Sequence, residues 1–125
     1  MKNIQKTYQI LLVDDEQDIL SMLEVVLRAK KYIVHSSMSI SEALNILEQN
    51  KDISLVISDI QMPGGTGLDL LKKIRAKYPV KPKVVFLTGF AKTSLDDACE
   101  GVSGYIEKPI DIKAFIQTVE DVLKG

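Results

Sequence analysis

The chain has 125 residues, 46% of them hydrophobic and 26% charged, with a formal net charge of −1. That length has room for one domain, and the composition excludes a disordered chain. The balanced charge excludes a global field drawing the protein to nucleic acid or membrane.

The first strand is expected over Gln9 to Val13, where Ile10-Leu11-Leu12-Val13 is continuously apolar rather than alternating. Such a run marks a strand covered on both faces. Ile19, Leu23, Val26 and Leu27 then recur at helical spacing. A second strand is read over Tyr32 to Val34. Ser39, with Glu42 three residues on, predicts a capping box ahead of a helix striped by Ala43, Leu44 and Leu47. Ile53 to Ile57 gives the third strand, and Leu68, Leu71 and Ile74 the third helix. Lys83 to Leu87 contains a second unbroken apolar run, Val84-Val85-Phe86-Leu87. A short acidic helix is expected between Thr93 and Cys99, and a fifth strand at Tyr105 to Ile106. Asp111 predicts the N-cap of a last helix carrying Ile112, Phe115, Ile116, Val119 and Leu123.

Strands alternating with helices imply an α/β fold, an open parallel sheet with helices on both faces. Functional groups in such sheets gather beyond the carboxyl ends of the strands. The residues there are Asp14-Asp15, Asp59, Thr88 and Glu107-Lys108-Pro109. At about 5–6 Å and an effective dielectric near 20, each pair of carboxylates repels by roughly 3 kcal/mol. One ammonium, Lys108, does not offset three anions. A Mg²⁺ ion does, because it favours oxygen ligands and uses only one or two carboxylates beside its waters. A phosphoryl group suits the same pocket, since its transfer depends on positioning and charge neutralisation.

Each residue has a plainer reading. Asp15 and Glu16 are suitable acids for a helix first turn, and Asp59 is a suitable turn residue before Met62-Pro63-Gly64. Thr88 and Lys108 taken singly are ordinary structural or solvated residues. Their joint placement at the ends of separate strands is what favours a site.

The motifs Ile10-Leu11-Leu12-Val13-Asp14-Asp15-Glu16, Asp59-Ile60-Gln61-Met62-Pro63-Gly64 with Gly67, Leu87-Thr88-Gly89 and Tyr105-Ile106-Glu107-Lys108-Pro109 resemble, in this order, the receiver domains of two-component response regulators. The resemblance runs from about Gln9 to Leu123. It implies a flavodoxin-like doubly wound sheet of five parallel strands, ordered 2-1-3-4-5, in a single receiver domain over residues 1–125 with its core at about 9–123. It implies that Asp59 accepts a phosphoryl group from a phosphohistidine. Asp15, Asp59 and the Gln61 carbonyl would bind Mg²⁺ directly, with Asp14 acting through water. Lys108 would pair with the phosphoryl oxygens, Thr88 would hydrogen-bond to them, and Tyr105 would change rotamer with Thr88. The Lys108-Pro109 bond would be cis. The implied partners are a sensor histidine kinase or histidine phosphotransfer protein and a downstream target or effector domain. No enzymatic activity beyond self-phosphotransfer and autodephosphorylation is implied. The output face would be the last two helices and the fifth strand.

Two features depart from the family pattern. The Thr88 to Lys108 stretch is short, which predicts a truncated or irregular fourth helix. Gln61 and Phe90 occupy positions that influence phosphoryl loss, and bulky Phe90 predicts slow dephosphorylation.

Gly64, Gly65 and Gly67 lack the Gly-Lys-Ser/Thr ending of a phosphate loop and read as a turn into a helix. Lys72, Lys73, Arg75, Lys77, Lys81 and Lys83 read as a solvated basic face, not a nucleic-acid surface. His35 and Cys99 have no ligand or triad partners at recognisable spacing and read as structural. With one cysteine no internal disulfide forms, which suits a reducing compartment. Met1 to Gln9 lacks a signal-peptide core, and no apolar run approaches the roughly 20 residues of a membrane span. The expected location is therefore the cytoplasm, without membrane contact.

Two rival functions fit the architecture. A receiver-like module that only binds protein would be favoured by loss of the acids, Thr88 or Lys108, all of which are present. A flavin protein would need a phosphate loop where Asp14-Asp15-Glu16 stands. The chain ends shortly after its last helix, as expected of a stand-alone regulator or of a receiver within a longer kinase or transcription factor.

Overall fold

The computed structural model describes residues 7–62, 65–89 and 102–125. Five strands form the main sheet: β1 Gln9–Val13, β2 Ile33–Ser37, β3 Ile53–Asp59, β4 Lys83–Thr88 and β5 Gly104–Glu107. All pairings are parallel, in the order 2-1-3-4-5. Among the described residues four helices cross between them: α1 Gln17–Ala29, α2 Ile40–Gln49, α3 Gly67–Lys77 and α4 Ile112–Lys124. A two-residue antiparallel ladder, Gln61–Met62 with Gly65–Thr66, joins β3 to α3. The helix expected between Thr93 and Cys99 lies outside the described residues, as do Pro63, Gly64 and Phe90. No described helix is long and apolar enough to cross a membrane.

The unbroken apolar runs have the predicted cause. Ile10 and Leu12 face one core with Leu20, Leu23 and Leu27 of α1 and Phe115 and Val119 of α4. Leu11 and Val13 face a second core with Ala43 and Leu47 of α2 and Leu70, Leu71 and Ile74 of α3. Successive strand side chains point to opposite faces. A strand with helices on both sides therefore needs apolar residues at every position.

Ile53 breaks this parity. It belongs to the second core, although Leu55 and Ile57, two and four residues on, belong to the first. The ladder explains it: Gln9 pairs with Ile53 but Ile10 pairs with Leu55, leaving Ser54 as an extra residue in a bulge. An extra residue reverses the face of whatever precedes it.

Several boundaries differ from the sequence reading. The second strand runs Ile33–Ser37 rather than Tyr32 to Val34, because its last residues are polar but still pair with Leu12 and Val13. Asp59 and Thr88 are the last residues of β3 and β4, not the first beyond them. Only half of the expected capping box on α2 forms. Ser39 Oγ accepts from the Glu42 amide, whereas the Glu42 carboxylate accepts from Met38 N at 3.1 Å. A complete box forms on α3 between Thr66 and Asp69. Asp111 caps α4 by accepting from the Lys113 and Ala114 amides.

Candidate functional site

Strand order reverses at β1, which is flanked by β2 on one side and β3 on the other. The crevice beyond the carboxyl ends of β1 and β3 is the expected ligand position in such sheets. Asp14 follows β1 immediately, and its amide donates to Ser37 O at 3.1 Å, continuing the β1–β2 ladder. Asp59 ends β3. Thr88 ends β4 and its carbonyl accepts from Lys108 N at 2.8 Å, which carries the β4–β5 ladder one residue further. These backbone bonds bring residues from four chain segments to one edge. The Lys108–Pro109 bond is cis, as is Lys81–Pro82.

Asp14, Asp15 and Asp59 each offer a carboxylate oxygen, and these three oxygens lie within 4.8 Å of one another. Asp14 is 1% and Asp59 8% exposed, so water screens neither fully. Asp59 Oδ1 accepts from Gln61 N at 3.1 Å, while Oδ2 accepts from Lys108 Nζ at 2.8 Å. Asp14 Oδ1 accepts from Glu16 N at 2.9 Å. Its Oδ2 is buried and has no hydrogen-bond partner among the described residues, 3.7 Å from Lys108 Nζ.

Burial is the main cause that pushes the Asp14 carboxyl above its ordinary pKa, and the Asp59 and Glu16 charges add to it against the Glu16 amide and Lys108. For Lys108, burial acts downward. The Asp59 hydrogen bond and the charges of Asp14, Asp59 and Glu16 outweigh burial and hold the ammonium above its ordinary pKa.

An orphaned buried carboxylate oxygen beside two further carboxylates, all hard oxygen donors, fits a Mg²⁺ site. A hollow opens over these groups, lined by Asp15, Glu16, Asp59, Ile60, Gln61, Thr88, Gly89 and Lys108. Of the residues expected to act, Asp15, Asp59, Gln61, Thr88 and Lys108 line this hollow, and buried Asp14 lies against Lys108. Tyr105 does not line it. It pairs with Phe86 in the β4–β5 ladder, its ring 6.4 Å from that of Phe86, against the second core.

Two motif residues make contacts at the site that their sequence reading did not assign. Glu16 reads as a first-turn acid, but it is the N-cap residue of α1, makes no capping bond with its side chain, and lies 3.5 Å from Lys108 Nζ. Gly67 is the first residue of α3. A Cβ there would stand 2.7 Å from Asp59 O and 2.9 Å from Phe86 Cε1. Only glycine lets α3 begin directly against the backbone of Asp59.

Residues read as structural or solvated are occupied elsewhere. His35 Nε2 lies 3.0 Å from Gln9 Oε1. Arg75 donates to Tyr78 O and Pro82 O, Lys77 pairs with Glu48, and Lys83 donates to Val122 O. Cys99 is outside the described residues.

Comparison with known proteins agrees with this geometry. The sequence profile of the response regulator receiver domain matches residues 10–120. The transcriptional regulatory protein GlrR of Escherichia coli (strain K12) is 35% identical over 123 residues, which is 95% of this chain and 27% of GlrR. The chain spans about a quarter of the length of the first curated relatives it matches. Among solved structures, the receiver domain of the hybrid histidine kinase CckA matches with a TM-score of 0.78 and 38% identity, covering 92% of this chain and 98% of that one. Chemotaxis response regulator CheY4 of Vibrio cholerae matches with a TM-score of 0.87 and 25% identity, covering 94% and 99%. With its five-stranded 2-1-3-4-5 sheet and its strand-end acids and lysine, the chain belongs to the response regulator receiver domain family of two-component systems.

Proposed function

We propose that this receiver accepts a phosphoryl group on Asp59 from a phosphohistidine of a sensor histidine kinase or histidine phosphotransfer protein, in a Mg²⁺-dependent step. The observation that carries this reading is the setting of the Asp59 carboxylate. It is held by the Gln61 amide and the Lys108 ammonium, beside Asp14 and Asp15, at the mouth of an open hollow.

An oxygen of the Asp59 carboxylate attacks phosphorus in line with the P–N bond. That bond breaks, its electron pair stays on the imidazole nitrogen, and an acyl phosphate forms. The Gln61 amide holds the carboxylate in orientation during attack. Lys108 neutralises charge on the phosphoryl oxygens, and the Thr88 hydroxyl donates to one of them. Asp15, Asp59 and the Gln61 carbonyl would hold a Mg²⁺ ion directly, with Asp14 acting through water, and the ion would supply the remaining charge neutralisation.

The modification adds about −1.5 to −2 charge at the sheet edge. Thr88 and Lys108 move toward it, Tyr105 follows, and the surface around β5 and α4 repacks for a downstream target or effector domain. The strength of that switch is the differential free energy of the two arrangements.

The test is transfer from a protein donor. A histidine phosphotransfer domain labelled on its histidine is mixed with the chain, with and without Mg²⁺. Label moving to the parent only with Mg²⁺, and never to Asp59→Asn, supports the reading. If label moves equally to Asp59→Asn, the acceptor assignment is wrong.

A further inference from the structure

Glu16 is an unusual N-cap residue. Helices favour Ser, Thr, Asp or Asn there because a short side chain reaches back to the first amides. Glu16 makes no such bond, so capping does not explain its presence. Its carboxylate is instead 3.5 Å from Lys108 Nζ, with 61% of the side chain exposed, and it lines the mouth of the hollow above Asp59. Among the described residues Lys108 thus faces three anions from three positions: Asp14 at 3.7 Å, Asp59 at 2.8 Å and Glu16 at 3.5 Å. Asp14 and Asp59 are enclosed, whereas Glu16 is the charge that an incoming donor meets from solvent.

We infer that Glu16 is a specificity-determining residue that disfavours highly anionic phosphodonors and so favours nitrogen-linked donors, which carry less negative charge. The inference rests on Asp59 being the phosphoacceptor. With Asp14, Asp15, Glu16 and Asp59 against Lys108, the pocket remains net negative even after a divalent cation binds. An acyl phosphate arrives near neutral pH as a dianion, and its transfer breaks a P–O bond and releases a carboxylate. A phosphoramidate-type donor arrives with a protonated nitrogen and a smaller net charge, and its transfer breaks a P–N bond and releases the neutral amine. Glu16 penalises the first more than the second. For a carboxylate roughly 7 Å from the phosphorus in a water-like dielectric, the penalty is about threefold in encounter affinity per unit of donor charge. Salt weakens it, because the Debye length is about 10 Å at 0.1 M.

The experiment measures phosphorylation rates against concentration for acetyl phosphate and for phosphoramidate. It compares the parent, Glu16→Gln, and Asp52→Asn, which makes the same charge change in the turn before β3 at the opposite end of the sheet. At low salt, Glu16→Gln is expected to lower the half-saturating acetyl phosphate concentration several-fold. The change for phosphoramidate is smaller by about threefold, the maximal rates shift less than the half-saturating concentrations, and Asp52→Asn matches the parent. Raising the salt to 0.5 M should erase the difference between donors. Equal changes for both donors, or a donor ratio that salt leaves untouched, would overturn the inference while leaving Asp59 as acceptor. No adduct with either donor in any of the three proteins would instead count against the phosphoacceptor reading, and the inference would fall with it.

Discussion

Lys108 Nζ stands 2.8 Å from Asp59 Oδ2, although the two residues are 49 positions apart in sequence. Each ends up at the carboxyl edge because a ladder delivers it, β3 for Asp59 and the extension of β4–β5 for Lys108. Replacing Lys108 with Ala leaves Asp14 and Asp59 facing each other without a cation. Removing one partner of a fully buried pair costs about 3–5 kcal/mol. Lys108 is 24% exposed, so a smaller loss of about 1–2 kcal/mol is expected in metal-free buffer. Urea denaturation should show that loss, and added Mg²⁺ should recover part of it. An unchanged midpoint would mean that Lys108 does not hold the acids together.

Asp14→Asn is expected to act in the opposite direction. The substitution removes a charge from a buried oxygen that has no hydrogen-bond partner among the described residues and sits among like charges. In metal-free buffer it should stabilise the protein by about 1–2 kcal/mol. Mg²⁺ at a hundred times its dissociation constant should stabilise the parent by about 2.7 kcal/mol. The variant should gain far less. Thermal melts of both proteins with and without Mg²⁺ check the sign, and destabilisation by Asn in metal-free buffer would contradict it.

Gly67→Ala tests the backbone contact beneath the acceptor. The added methyl would overlap Asp59 O and the Phe86 ring, neither of which can withdraw without disturbing β3 or the second core. An overpacked contact of this kind costs about 1–3 kcal/mol. Because the displaced atom belongs to Asp59, the phosphorylation rate should fall as well, even where the variant is fully folded. A folded variant with the parent's rate would show that this contact does not position Asp59.

His35 predicts a pH dependence. Burial, and then the positive charge of Arg28, lower its pKa from the ordinary value of 6.5. Below that value the unfolded chain takes up a proton that the folded chain resists, so the unfolded state binds more protons. The His35 contribution is therefore fully present above pH 6.5 and is lost as pH falls through the folded-state value. Arg28 of α1 and the neutral Gln9 amide of β1 are the groups facing the ring. His35→Gln should flatten this part of the stability profile between pH 7 and 5, measured by urea denaturation. An identical slope in the variant would contradict the assignment.

Much of the fold was legible because covering a strand on both faces leaves a direct mark in sequence. β1 was read to the residue, and the order of elements follows from the apolar runs. What failed did so for local reasons. β2 was cut short because Ser36 and Ser37 are polar. The Ser36 hydroxyl is partnered with Glu24 of α1, and pairing with β1 rather than hydrophobicity keeps these residues in the strand. The apolar stripes omitted Leu20, Leu70 and Val122, because these helices bury a wider arc than the spacing counted. The bulge at Ser54 leaves no compositional signal. At the candidate site, the strand-end acids and Lys108 could be found from the topology rule alone. Glu16 could not, since a glutamate before a helix has an adequate local explanation until its distance to Lys108 is known.

The most direct test of the central claim is the intact mass of the chain after incubation with phosphoramidate. Parent and Asp59→Asn are compared, with Mg²⁺ and with the metal chelated. One phosphoryl group added to the parent, absent on chelation and absent from Asp59→Asn, is the expected result. A parent and Asp59→Asn that gain the same mass, or a parent that gains it equally without a divalent metal, would contradict the account.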